Sequence, residues 1–157
     1  AQEFGNAFSL FISQNHGGGK KERVKEGTRQ AVKISILFCV AVSMFIFFFA
    51  PYLMQIFVKS TETEIIQIGS EYLRIEGAFY CGIGLLFLLY GFFRGVEKPE
   101  MSLILTVISL GTRVLLAYLL SPVPSIGVKG IWMAIPIGWF LADMVGVICI
   151  RKEKYNE

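Results

Sequence analysis

Residues 101–121 read MSLILTVISLGTRVLLAYLLS, a stretch whose only charged side chain is Arg113. The hydrocarbon core of a bilayer is about 30 Å thick, and an α-helix needs about 20 apolar residues to cross it. This stretch has that length, and Pro99 and Pro122 flank it. The sequence therefore predicts a membrane-spanning helix over 101–121.

Three further stretches have the same character, over residues 32–58, 72–95 and 130–150. The chain has 157 residues, of which 54% are hydrophobic, and its mean hydropathy is +0.60. An ordinary soluble domain is less apolar, and helices that are apolar all round are either buried or transmembrane. We therefore predict an all-α integral membrane protein with four transmembrane helices, whose function is transport, conduction, lipid handling or signalling.

Basic residues are distributed unevenly over the segments between these stretches. Residues 16–33 contain six Lys and Arg, residues 94–100 contain two and the tail 151–157 contains three. By contrast, residues 59–71 and 122–129 contain one each. Cytoplasmic loops of membrane proteins are enriched in Lys and Arg. The three basic segments, including the C-terminus, are therefore predicted to be cytoplasmic and the other two loops external.

The N-terminal segment, residues 1–15, has Phe4, Phe8 and Phe11 at helical spacing and lacks the features of a signal peptide. It predicts the end of a transmembrane helix, so the chain is expected to be part of a longer membrane protein. Residues 16–31 follow as a cytoplasmic basic loop or surface helix beside anionic headgroups. Because the net charge is only +3, the expected partner is membrane lipid and not nucleic acid.

The residues that could hold a metal ion are few and scattered. Cys39, Cys81 and Cys149 each lie inside an apolar stretch without a C-x-x-C partner, and the chain has one His. A zinc site needs a closer set of such ligands. No combination of Ser, His and Asp, and no pair of carboxylates at one depth, predicts an enzyme. We therefore expect no metal, no cofactor and no catalytic residue.

Polar side chains recur at helical spacing inside the apolar stretches. Ser102, Thr106, Ser109 and Arg113 share one face of the third stretch. Ionisable groups at membrane depth are costly and usually face a bundle interior or a wet cavity. The sequence therefore predicts a substrate or coupling-ion pathway that includes Glu76, Tyr80, Ser109, Arg113, Trp139 and Asp143.

The depth of the three ionisable groups follows from the helical rise of 1.5 Å per residue. Glu76 lies about 5–8 Å, Arg113 about 12 Å and Asp143 about 20 Å below the external ends of their spans. Glu76 and Arg113 are thus close enough in depth to pair, whereas Asp143 needs another partner. Two interpretations stay open at this point: an ion pair that only holds helices together, or a site that binds a substrate or an ion.

Small residues in the last stretch recur every fourth position, at Gly138, Ala142 and Gly146. Such a ladder lets the backbone of another helix approach closely. Gly91 and Gly95 have the same spacing in the second stretch. We therefore expect tight helix packing at both places.

Several motifs, in their order and spacing, resemble one transporter family. Residues 13–23 (SQNHGGGKKER) resemble the Q-N-x-G-A-G-x-x-E-R segment of the multidrug and toxic compound extrusion (MATE) family. Further similarities are YLRI at 72–75, RG at 94–95, GIW at 130–132 and PIGW at 136–139. The resemblance covers essentially the whole chain. Gly18 stands where the family usually has Ala, and residues 83–89 lack the carboxylate that some members carry midway along helix 10.

The resemblance implies twelve transmembrane helices in two six-helix bundles, with this chain running from the end of helix 8 through helix 12. It implies antiport of amphiphilic drugs or organic cations against H⁺ or Na⁺, by alternating access. The expected location is the plasma membrane of a prokaryotic cell, with the remaining helices of the transporter as partners. The alternatives are a lipid-linked sugar flippase of the same wider superfamily and a non-transporting membrane scaffold or channel subunit.

Overall fold

The computed structural model of the chain describes residues 1–123 and 126–156, with side chains described as far as residue 152. Every element in these residues is an α-helix. The helices are α1 (Gln2–Gly17), α2 (Lys21–Gln55), α3 (Thr63–Ala78), α4 (Tyr80–Gly95), α5 (Pro99–Leu120) and α6 (Val128–Asn156). Residues 124 and 125 of the predicted fourth loop and residue 157 of the predicted tail lie outside the described residues.

Three described helices are long and apolar enough to cross a membrane: Lys21–Gln55, Pro99–Leu120 and Val128–Lys152. A fourth candidate is the pair formed by α3 and α4, which meet at a bend of 49°. An all-α membrane fold with four candidate spans agrees with the hydropathy of the sequence.

The basic segment after α1 and the first predicted span belong to one continuous helix. α1 ends at a glycine turn in which Gly19 has φ 66°, and the Lys20 amide donates to the Asn15 carbonyl over 2.8 Å. α2 then runs unbroken for 35 residues. No proline interrupts the junction near Lys33, so the helix continues from its polar part into its apolar part.

The second predicted span, residues 72–95, is two helices and not one. α3 starts at Thr63, inside the predicted external loop, and ends at Ala78, and Phe79 separates it from α4. Glycine is a poor helix former, and Gly77, Gly82 and Gly84 surround the break. α2 packs closely beside the break, because a Cβ on Gly77 would lie 2.8 Å from the Ile46 side chain.

The largest helix interfaces join α5 to α6, α1 to α4 and α2 to α3. The α1–α4 interface uses glycine, as the spacing of Gly91 and Gly95 predicted: a Cβ on Gly91 would overlap the Gly5 carbonyl, and one on Gly95 would meet Ile12. One buried core lies among α4, α5 and α6, and it consists of Leu86, Leu89, Phe93, Leu105, Trp139 and Ala142.

The outer surfaces of α2 and α5 are apolar. Exposed side chains on α2 include Leu37, Phe45 and Phe48, and those on α5 include Leu103, Val107 and Tyr118. Water-soluble monomers rarely expose contiguous apolar surface of this extent. It is the surface that a helix presents to lipid or to further membrane helices.

The last helix extends beyond the predicted span. α6 continues from residue 150 to Asn156, through most of the predicted cytoplasmic tail. It also contains Pro136, which is buried. At the other end of the bundle, Lys129 Nζ lies 3.1 Å from Glu71 Oε2 and the rings of Tyr72 and Trp132 are 5.6 Å apart, so α6 is held to α3.

Candidate functional site

The candidate site lies where four helices meet around the α3–α4 break. α6 packs against α3, α4 and α5, so it is the common neighbour of the three helices that carry the other predicted residues. Glu76 comes from the end of α3, Arg113 from the middle of α5 and Asp143 from α6. All three side chains are partly buried.

Glu76 lies three residues before the break, on the last turn of α3. Its Oε1 atom is buried and has no hydrogen-bond partner among the described residues. Burying a carboxylate without a partner is strongly unfavourable. A free carboxylate oxygen at this depth is therefore available to a proton, a cation or a group from elsewhere.

Arg113 is the cation nearest to this carboxylate, and the two side chains interact electrostatically. They do not form the direct ion pair that their depths allowed, since the described residues contain no Glu76–Arg113 contact within salt-bridge distance. The Nε atom of Arg113 is likewise buried without a hydrogen-bond partner there. The interpretation of a closed pair that merely joins two helices is therefore not supported by the geometry.

Asp143 faces the start of α4. Its Oδ2 atom lies 3.9 Å from the position that a Cβ on Gly82 would occupy, and the Trp139 Cβ lies 3.4 Å from the same position. These are ordinary van der Waals distances, so α6 packs directly against the start of α4 at Gly82 and places the carboxylate beside it. The other oxygen, Oδ1, is buried and unpartnered among the described residues.

Tyr90 lies near two charged residues of the site, Arg113 and Asp143. Its hydroxyl interacts electrostatically with both Arg113 and Asp143, and it lies 3.2 Å from the Thr106 hydroxyl. Thr106 also donates to the Ser102 carbonyl over 2.9 Å, and the Ser102 hydroxyl donates to the Tyr90 carbonyl over 3.3 Å. The hydroxyl face of α5 thus packs against α4 and holds the Tyr90 phenol.

Two predicted pathway residues are packing residues. Ser109 is buried, and its backbone oxygen would be 2.5 Å from a Cβ on Gly138. Trp139 is 7% exposed and belongs to the core among α4, α5 and α6. Both therefore hold α6 in place behind Asp143, and neither lines an open surface.

Tyr80 is the first residue of α4 and is half-buried. The bend at Phe79 places it across the break from Glu76 on the chain. The structure thus brings Glu76 near Arg113, and Tyr90 is the residue that both Arg113 and Asp143 approach.

Sequence reasoning did not select Tyr90, Thr106 or Gly82 as site residues. Thr106 does lie on the polar face predicted for residues 101–121, and Tyr90 lies on an aromatic and polar line with Phe87 and Arg94 in residues 72–95, so the periodicity contained a signal for both. Gly82 had no such signal, because its role depends on which residue of α6 packs against it.

The chemistry available at this site is reversible binding of a proton or cation by two carboxylates. The described residues contain no group of three or more His, Cys, Asp or Glu side chains that could hold a metal ion. The arrangement combines partly buried acidic groups, a broken span and a nearby arginine. Intramembrane ionisable groups of this kind mark ion and substrate pathways.

The fold and the site define a multi-span helical membrane protein with ionisable groups inside its bundle. The MatE family model matches residues 1–119. The chain belongs to the MatE family.

Two relatives have similar identity and different names. One is the probable multidrug resistance protein NorM of Thermotoga maritima, 29% identical over 140 residues. The other is the FAD transporter of Shewanella oneidensis, 30% identical over 141 residues. Each alignment covers 88% of this chain and 29% of the relative. The chain therefore spans less than a third of the length of these relatives.

Solved structures of the family match in two conformations. The inward-facing conformation of a multidrug resistance MATE family transporter of the MOP superfamily aligns with a TM-score of 0.86 at 26% identity. An outward-facing conformation aligns with a TM-score of 0.86 at 28% identity. The alignments cover 95% and 94% of this chain, and 34% and 33% of the solved chains.

Proposed function

We propose that this chain is the C-terminal part, from the end of helix 8 through helix 12, of a secondary active transporter that exports amphiphilic organic cations in exchange for H⁺ or Na⁺. Membership of the MatE family supports a transporter and not an enzyme. The observation that supports exchange with a cation is that two carboxylate oxygens, Glu76 Oε1 and Asp143 Oδ1, are buried and have no hydrogen-bond partner among the described residues.

The exchange follows from electrostatics inside the bundle. An ionised carboxylate without a partner is costly in a poorly solvated site, and a bound H⁺ or Na⁺ removes that cost. A cationic substrate that reaches the same region competes for the same negative charge. Binding of one cation therefore favours release of the other, and the coupling is reciprocal.

Alternating access requires part of the protein to move as a unit. The equal TM-scores of 0.86 to an inward-facing and an outward-facing relative support a bundle that keeps its internal packing in both states. Rigid rocking of one bundle against another is the usual device in such transporters. On this account α1–α6 move together, and the remaining helices of the full-length protein provide the opposing bundle.

The proposed location is the plasma membrane of a prokaryotic cell. The excess of Lys and Arg in residues 16–33, in residues 94–100 and after residue 150 supports a cytoplasmic C-terminus. Membrane lipid is then the partner of the apolar outer faces of α2 and α5.

Export of a flavin nucleotide is the second candidate, since a relative of 30% identity is named an FAD transporter. Arg113 is the group that would bind an anionic substrate, because its Nε is buried and unpartnered among the described residues. A lipid-linked sugar flippase would need a larger basic cavity than one intramembrane arginine supplies, and it is not proposed.

The function is tested with the full-length protein in proteoliposomes, loaded with ethidium or with FAD, under Na⁺ and pH gradients imposed separately. The proposal predicts ethidium transport that stops when the driving gradient is collapsed. Transport of FAD without transport of ethidium would favour the second candidate. Movement of neither substrate under either gradient would contradict both.

A further inference from the structure

A basic groove lies between the end of α1 and the start of α2, away from the charged site. Its volume is about 870 Å³, within the range of small-molecule binding sites. Phe11 and Asn15 of α1 form one wall. The lining contains one carboxylate, Glu26, against four cations of the α2 side: Lys20, Arg23, Arg29 and Lys33.

These four cations have no acceptor among the side chains and backbone that the structure describes. None of them forms a side-chain hydrogen bond or ion pair within residues 1–123 and 126–152. Next to the groove, by contrast, Lys25 Nζ lies 3.8 Å from Glu22 Oε2. An excess of unpaired cations in a groove of this size matches a phosphate group, which accepts several charge-assisted hydrogen bonds.

The groove continues into an apolar stripe on the same face of α2. Arg23, Glu26, Gln30 and Lys33 follow one another at spacings of three or four residues, and the next positions on that face are Leu37, Val40, Met44 and Phe48. The exposed fractions of these four apolar side chains are 73%, 40%, 60% and 69%. At 1.5 Å per residue, the stripe from residue 37 to residue 48 is about 16 Å long. One leaflet of the hydrocarbon core is about 15 Å deep.

We propose that this groove is a binding site for the headgroup of an anionic phospholipid, with an acyl chain along the Leu37–Phe48 stripe. The cations supply the contacts to phosphate, and the stripe favours a lipid over a soluble phosphate compound because an acyl chain can lie along it and a soluble compound leaves it uncovered. Basic pockets at the membrane surface next to transmembrane helices bind anionic headgroups in this way. The inference does not depend on the transported substrate or on the coupling ion.

The test uses the full-length protein in neutral detergent, titrated with fluorescent phosphatidylglycerol and, separately, with fluorescent phosphatidylcholine. The groove variant is Arg23→Gln with Lys33→Gln. Each cation near the headgroups contributes about a five-fold change in affinity, so the variant binds phosphatidylglycerol about thirty-fold more weakly. Phosphatidylcholine binding is unchanged.

The matched control is Arg151→Gln with Lys152→Gln, which removes two exposed cations from α6. Within the described residues, α6 has no contact with α1 or α2. The control therefore loses less than about two-fold in affinity at physiological salt, where surface charges are screened beyond about 8 Å. If the groove variant does not fold, Arg29→Gln alone replaces it, with an expected loss of about five-fold.

Three results would overturn the proposal. Equal losses in the groove variant and the control would mean diffuse attraction to the whole basic surface. Equal binding of the two lipids by the unmodified protein would mean that the groove does not recognise the anionic headgroup. Complete displacement of phosphatidylglycerol by millimolar inorganic phosphate would mean that the natural ligand is a soluble phosphate compound. Selective loss in the groove variant, with phosphate unable to displace the lipid, supports it.

Discussion

The close packing of α6 on α5 can be tested by adding a single methyl group at Gly138. A Cβ there would lie 2.5 Å from the Ser109 carbonyl oxygen and 3.4 Å from the carbonyl carbon. Because the obstacle is backbone, no side-chain rotation relieves the overlap, and the helices must separate by about 1 Å to restore ordinary contact. Overpacking of this kind destabilises by about 1–3 kcal/mol.

Gly111→Ala is the matched control for Gly138→Ala. Gly111 lies in α5, and a Cβ there would meet nothing within 4 Å. Both substitutions gain the same helix propensity, about 1 kcal/mol, so the difference between the two variants isolates the cost of the clash. The full-length protein is about three times as long as this chain, so each kcal/mol shifts its melting temperature by about 1 °C, and Gly138→Ala melts about 1–3 °C below Gly111→Ala.

The melting temperature is measured on the full-length protein in detergent, with a dye that fluoresces when it reacts with a newly exposed thiol. Cys39 is buried and reports unfolding. If Gly138→Ala melts at or above the temperature of Gly111→Ala, then the two helices do not meet at this glycine. The described arrangement of α5 and α6, which positions Asp143, would then be wrong.

Three smaller predictions test the packing and the orientation. Trp139→Ala lowers the free energy of unfolding by about 3–5 kcal/mol. Trp139→Phe lowers it by no more than about 1.5 kcal/mol and leaves transport intact. Selective loss of substrate affinity in Trp139→Phe would instead mean that the indole contacts the substrate. In a cysteine-free background, an impermeant thiol reagent applied from outside labels Thr61→Cys and not Glu97→Cys, and the reverse pattern would invert the topology. Lys129→Gln, which breaks the exposed pair with Glu71, lowers the free energy of unfolding by no more than about 1 kcal/mol in a denaturation curve.

The apolar spans were predictable from the sequence because the bilayer imposes a length and a composition on every spanning helix. The helical spacing of Gly138 and Gly146 likewise predicted a packing surface, and the structure places both glycines against neighbouring helices. These features depend on local composition and helical period alone.

The bend at Phe79 was not predictable in the same way. The run from 72 to 95 is mostly apolar and contains no proline, so hydropathy describes it as one span. Around the bend, Ile46 packs against Gly77 and Trp139 packs against Gly82, and these are contacts between residues far apart in the chain.

Depth along the helix placed Glu76 near Arg113, but it did not predict whether the two side chains pair. Glu76 and Arg113 have similar depths and interact electrostatically, yet their buried Oε1 and Nε atoms remain without hydrogen-bond partners among the described residues. Helical rise gives only the coordinate along the membrane normal. The lateral position and the rotamer depend on packing around α6.

The most direct test of the proposed cation exchange is uphill transport by Asp143→Asn. This substitution keeps the shape of the side chain and removes the negative charge that a cation would neutralise. In proteoliposomes, the account predicts that the variant still equilibrates ethidium down its own gradient but accumulates it at least about ten-fold less under an imposed Na⁺ or H⁺ gradient, a coupling loss of about 1.4 kcal/mol or more. Glu71→Gln, at the exposed rim, accumulates ethidium like the unmodified protein. Undiminished accumulation by Asp143→Asn would contradict the account.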